Sequence, residues 1–229
     1  MIKKYCTPYY IALMLALLFH ICGAIGIILS DYKEWFINSS PITLLLMSAL
    51  IIITQKGKNS YFIVFVLLCF FVGLLTEMIG VNTGFLFGKY EYGNVLGPKV
   101  LGVPWLIGIN WFVVIYCAGC TTHFLEAWIV QQMGADITLS TRIQHLSFII
   151  DTALIAVFFD WLIEPVAIKL GYWSWLDNDI PFFNYVCWFL ISLLLSAAMR
   201  FLSFHKANLF AVHLFIIQGL FFLLLRTFL

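Results

Sequence analysis

The run Ile149-Ile150-Asp151-Thr152-Ala153-Leu154-Ile155-Ala156-Val157-Phe158-Phe159-Asp160-Trp161-Leu162-Ile163-Glu164-Pro165 decides the fold. It lies in an apolar segment, Ile143 to Leu170, that is long enough to cross a bilayer, which takes about 20 residues. The acids are the anomaly. A carboxylate in hydrocarbon is costly and is kept where it faces protein, water or a substrate. Asp160 and Glu164 are four residues apart and stack on one helical face. Like charges this close in low dielectric cannot both ionise easily, so one carboxyl is expected to keep its proton at neutral pH, as a general acid must. The alternative is a structural hydrogen bond to a neighbouring helix, or an ion pair with Lys169 or a loop cation. Asp151, at about 100° per residue, points to the opposite face, and a structural role is expected for it.

The rest of the chain has the same character. Of 229 residues, 63% are hydrophobic and 10% charged, against about 25% charged in soluble domains. Mean hydropathy is +1.03. The expected fold is all-α: a polytopic transmembrane helical bundle, one domain over residues 1–229, multi-pass in a cell membrane. Its immediate surroundings are membrane lipid. With a net charge of +1 and no basic cluster, no nucleic-acid partner is expected. Aromatics make up 18% of the chain, which suits an interfacial belt or an apolar ligand.

Seven apolar runs are long enough to span: Tyr9 to Leu29, Phe36 to Thr54, Tyr61 to Gly80, Val103 to Phe124, Ile143 to Leu170, Phe183 to Phe204 and Leu209 to Phe228. The start, Met1-Ile2-Lys3-Lys4, resembles a signal peptide but lacks a small-residue cleavage site, so a retained first helix is expected. Seven Lys and Arg fall on the side of the N-terminus and five on the other, which favours a cytoplasmic N-terminus.

One consequence holds for either orientation. Odd-numbered spans run parallel, so Glu77, Asp160 and Glu164 end on the same face. The loop Val81 to Gly102 and the turn Gly171 to Phe183 lie there too. Glu77 is either a snorkelling carboxylate or part of a site. Tyr90 and Tyr92, in the Gly-rich aromatic loop Gly84 to Gly93, can donate hydrogen bonds or offer π-faces to a cation, or they belong to an aromatic belt. The same two readings stand for Trp173 and Trp175. Asn184, at the start of the sixth run, either caps that helix or serves the site. Asp177 and Asp179 read as solvated loop charges.

Several chemistries lack their residues. Cys117-Ala-Gly-Cys120 has CxxC spacing but sits inside a span without a second pair. Most of the six Cys, from Cys6 to Cys187, lie in apolar runs and act as small hydrophobes. His123 and Glu126 are two ligands at most, and no HExxH occurs, so no metal and no cofactor are expected. The last span has no Lys for a retinal Schiff base, and no DxxxD pair is present to hold magnesium diphosphate.

Taken together, Glu77-x-x-Gly80, Phe87-Gly88-x-Tyr90-x-Tyr92, Gly102-Val103-Pro104, Asp160-x-x-x-Glu164-Pro165, Gly171-Tyr172-Trp173-x-Trp175 and Pro181-x-x-Asn184-Tyr185-x-x-Trp188 resemble the carotenoid biosynthesis integral membrane proteins of bacteria and archaea. That family includes carotenoid 1,2-hydratases and bisanhydrobacterioruberin hydratase. The pattern covers roughly half of the chain, from Glu77 to Trp188. In the family the acid before the Pro is often Asp, so Glu164 departs from it by one methylene. The resemblance implies hydration of the acyclic end of a carotenoid, lycopene or a monocyclic derivative, drawn from the bilayer. It also implies a bacterial inner-membrane location and leaves room for association with other carotenoid enzymes. On this reading Asp160 or Glu164 donates a proton to the terminal alkene and Glu77 handles the water. Tyr90, Tyr92, Trp173, Trp175 and Asn184 line the cation site. A lycopene cyclase would form the same cation and close a ring. A proton-coupled transporter or lipid-binding protein would also hold buried acids, although no internal repeat of the kind many transporters carry is visible.

Overall fold

The computed structural model describes residues 8–133, 140–176 and 179–229. The expectations for Lys3, Lys4, Cys6 and Asp177 lie outside these residues. The helices are α1 (Pro8–Leu29), α2 (Lys33–Asn38), α3 (Ser40–Thr54), α4 (Ser60–Thr83), α5 (Leu106–Met133), α6 (Thr141–Lys169), α7 (Phe182–Phe201) and α8 (Leu209–Phe228). Six of them, α1 and α4 to α8, are long and apolar enough to cross a membrane. Their outer faces expose Met14, Ile63, Leu75, Leu154, Leu194 and Leu220. Water would not tolerate such a surface, but lipid does. The protein is an all-α, multi-pass membrane bundle.

The second predicted run, Phe36 to Thr54, is broken in two. Ser39 Oγ donates to the Trp35 carbonyl and closes α2, while Pro41 opens α3 in its first turn. Proline suits that position because its missing N–H has no intrahelical partner there. α3 has 15 residues, or about 22 Å of helix, short of a hydrocarbon core of about 30 Å. It nevertheless runs from one end of the bundle to the other. Ser40 Oγ at its start lies 2.5 Å from the Tyr172 hydroxyl, and Gln55 just past its end donates to the His205 carbonyl at 2.7 Å. The apolar runs therefore alternate in direction, and the ends of α4 and α6 meet the starts of α3, α5 and α7 at one rim.

α5 is the central post. It packs against α3, α4, α6, α7 and α8, and every residue from Trp111 to Ala118 is buried. Gly73 of α4 makes one close approach possible: a Cβ there would fall 2.4 Å from the Trp111 ring. Trp111 in turn stacks on Trp188 of α7, with ring centroids 3.8 Å apart and planes at 11°.

Two small antiparallel ladders close the rim. β2 (Lys99–Val100) pairs with β3 (Val103–Pro104), and β1 (Tyr90–Tyr92) pairs with β4 (Trp173–Trp175). In the second ladder Tyr90 faces Trp175 and Tyr92 faces Trp173. Alternate residues of a strand share a face. All four aromatic side chains therefore point into the bundle, while Glu91 and Ser174 point out. The ladder extends by bonds from Gly93 N–H to the Tyr172 carbonyl (2.8 Å) and from Leu176 N–H to the Lys89 carbonyl (3.0 Å).

Candidate active site

Glu77 of α4 and Asp160 and Glu164 of α6 line one cavity at this rim. Tyr90, Tyr92, Trp173, Trp175 and Asn184 line it as well, so each of the sequence-derived site residues borders the same space. All three acids are no more than 5% exposed. The space open to the centre of a water molecule is ≈ 20 Å³.

Each acid is held by donors rather than by cations. Glu77 Oε2 accepts from the Tyr90 hydroxyl at 2.5 Å and the Tyr92 hydroxyl at 2.8 Å, and Oε1 accepts from Trp111 Nε1 at 3.1 Å. Three donors suit a carboxylate anion. Burial, and then the Glu77 charge, hold both phenols well above the usual tyrosine range, so they stay protonated and keep donating. Glu164 Oε2 accepts from Trp173 Nε1 at 3.0 Å and Trp175 Nε1 at 2.9 Å. The Asn184 amide nitrogen reaches Asp160 Oδ2 at 3.0 Å and Glu164 Oε1 at 3.3 Å. Asp160 is the least served of the three. It has this one donor, and its Oδ1 has none among the described residues.

These contacts decide several open readings. Glu77 does not snorkel to the surface. Asn184 does not cap α7, whose N-cap is Pro181, but joins the two acids of α6. Glu164 pairs with indoles and an amide instead of Lys169. Asp151 faces elsewhere and accepts from Ser147 Oγ at 2.7 Å. Phe87, buried against the site, has φ 65°, a conformation that L-residues rarely adopt. Strain of this kind gathers at functional sites.

Three lining residues escaped the sequence reading, Ile107, Asn110 and Trp111. They sit inside a long apolar run, where a Trp scores as ordinary core. The only hint was the amide of Asn110 beside it.

A second, larger cavity adjoins the first. About 120 Å³ of it is open to a water-sized centre. Its walls are mostly apolar, with Phe36, Met47, Leu106, Phe159, Ile163 and Phe222 among them. Ile107, Asn110 and Trp173 line both cavities, so the two meet at these side chains.

A family model described as carotenoid biosynthesis protein matches residues 38–228. The chain belongs to this family. The matched region contains all three acids and every donor that holds them. Bisanhydrobacterioruberin hydratase of Haloarcula japonica is 29% identical over 118 residues, covering 50% of this chain and 36% of the relative. The chain thus aligns with little more than a third of that relative's length. No solved structure matches the chain. Family membership supports a role in carotenoid modification.

Proposed function

We propose that the protein is a carotenoid hydratase that adds water across the terminal 1,2 double bond of an acyclic end group, on lycopene or a monocyclic derivative. The observation that carries this reading is the juxtaposition of a walled cavity of three acids with a larger apolar one. An apolar chain from the bilayer can lie in the larger cavity and present its end to the acids. The name of the Haloarcula relative points to the same reaction class.

The chain's own residues supply the chemistry. Asp160 is the proton donor, because it is the acid with an oxygen left free of donors. Its proton goes to the second carbon of the trisubstituted alkene, and the charge falls on the tertiary first carbon. The Glu164 and Glu77 carboxylates and the faces of Trp173, Trp175, Tyr90 and Tyr92 stabilise that cation. Water adds to the first carbon and loses a proton to the Asp160 carboxylate, giving a tertiary alcohol and the starting enzyme. No electrons are transferred. Asn184 keeps Asp160 and Glu164 at a fixed separation. On this reading the enzyme works in the bacterial inner membrane, takes substrate from lipid and passes product to other carotenoid enzymes.

Expression in a lycopene-producing bacterium tests the reading. A pigment heavier by the mass of water is expected. A cyclised pigment of unchanged mass would replace the proposal with a cyclase, and an unaltered pigment profile would favour a transporter or lipid-binding protein.

A further inference from the structure

Nearly every polar side chain on the carboxylate cavity is committed to an acid. Tyr90, Tyr92 and Trp111 serve Glu77, while Trp173, Trp175 and Asn184 serve the α6 pair. The Trp188 indole N–H has no partner among the described residues, but it can only donate. Asn110 is different. It lines the same cavity, yet its amide has no hydrogen-bond partner among the described residues. It is also one of the side chains shared with the apolar cavity.

The side chain is half-buried and opens to the two cavities, where apolar walls offer its amide nothing in return. A polyene end group has neither donor nor acceptor and cannot satisfy it. Water can. A single water needs about 10–15 Å³ of space for its centre, and the carboxylate cavity offers ≈ 20 Å³.

We propose that Asn110 is a positioning residue that holds the attacking water where the two cavities meet. The inference rests on the hydratase reading and extends it to the nucleophile. The Asn110 carbonyl accepts one hydrogen of the water and turns an oxygen lone pair toward the tertiary cation. That lone pair forms the new C–O bond, and the resulting oxonium gives its proton to the Asp160 carboxylate. Asn110 neither gains nor loses a proton. Without it the cation still forms but lacks an oriented water. It then discharges by losing a proton from a neighbouring carbon, which regenerates an olefin. Asn110 therefore sets the partition between alcohol and olefin rather than the rate of protonation.

The experiment uses the full chain in liposomes, with lycopene as probe, in D₂O. Alcohol is measured against deuterium in the recovered olefin. Wild type is expected to yield mainly alcohol. N110L is expected to lower the alcohol-to-deuterated-olefin ratio roughly tenfold or more, a loss of the size expected when one orienting hydrogen bond is removed. N110S, which still binds water, is expected to restore part of the alcohol. An N110L ratio equal to that of wild type overturns the inference. So does loss of both alcohol and deuterium in N110L with no recovery in N110S, the pattern of a merely structural role. A wild type that leaves lycopene untouched instead overturns the hydratase reading itself.

Discussion

Tyr90 stands opposite Trp175 in the β1–β4 ladder, and the two side chains hold different acids: Tyr90 donates to Glu77 at 2.5 Å and Trp175 to Glu164 at 2.9 Å. Tyr92 and Trp173 repeat the arrangement one step along. A three-residue strand pair thus fixes an α4 carboxylate relative to an α6 carboxylate. The rim ladder positions the site as much as the helices do.

The acids themselves give the first test. Asp160→Asn keeps the shape and the acceptor facing Asn184 but cannot donate an acidic proton. Conversion of lycopene is expected to fall by roughly 10²–10⁴, the range for loss of a general acid, with membrane expression unchanged. Glu164→Gln is expected to lower conversion as well, because it removes a negative charge facing the cation. Mass analysis of the pigments reads both variants. Full turnover in both would end the assignment of the proton to this pair.

Glu77 separates charge from hydrogen bonding. In Glu77→Gln the carbonyl can still face Trp111, which only donates, while the amide nitrogen donates to the tyrosine oxygens. Thermal stability in detergent is expected to fall only in part, because both tyrosine O–H groups lose the acceptor they had in Oε2, while activity falls. Glu77→Leu leaves three buried donors without an acceptor, at about 1–3 kcal/mol each, and a clear drop in Tm is expected. Equal Tm values for the two variants would show that the three bonds contribute little.

Much of this was legible in the chain, for physical reasons that differ from residue to residue. Bilayer length and hydropathy gave the runs, and alternating direction put Glu77 beside Asp160 and Glu164. The break in the second run was harder to see, because hydropathy stays high across Ser39 to Pro41 while hydrogen bonding changes. Tyr90-x-Tyr92 and Trp173-x-Trp175 each showed a period of two, but neither stretch names its partner, so the ladder between them was invisible. Asn184 looked like a cap because it stands one turn from a helix start. Only the position of α6 shows where its amide goes.

The ladder depends on one glycine. A Cβ on Gly93 would lie 2.0 Å from the Gly171 carbonyl oxygen, a backbone atom with no rotamer to yield. Gly93→Ala is therefore expected to force β1 and β4 apart, lowering both Tm and activity. Gly219→Ala in α8 is the contrast, since nothing lies within 4 Å of its added Cβ, and it is expected to be tolerated. Tm measurements on the purified pair check this, and a wild-type Tm for Gly93→Ala would mean that the strands are not a fixed element of the fold.

A last relationship links α6 to α8. Pro165 has no N–H, so the carbonyl of Trp161 one turn earlier loses its helical donor. Arg226 of α8 fills the gap: its guanidinium donates to the Trp161 carbonyl at 3.0 Å and sits 3.9 Å above the Trp161 ring. The Arg is thus expected to matter most while the Pro is present. Arg226→Ala alone should cost about 1–3 kcal/mol, combining a carbonyl left without its donor with a lost cation–π contact. In a Pro165→Ala background, where an N–H returns to the Trp161 carbonyl, the same change should cost about 1 kcal/mol less, since only the ring contact is then at stake. A double-mutant cycle on Tm or denaturant midpoints measures that coupling. A coupling of zero would mean that Arg226 acts through the ring alone and that the proline-freed carbonyl finds another donor.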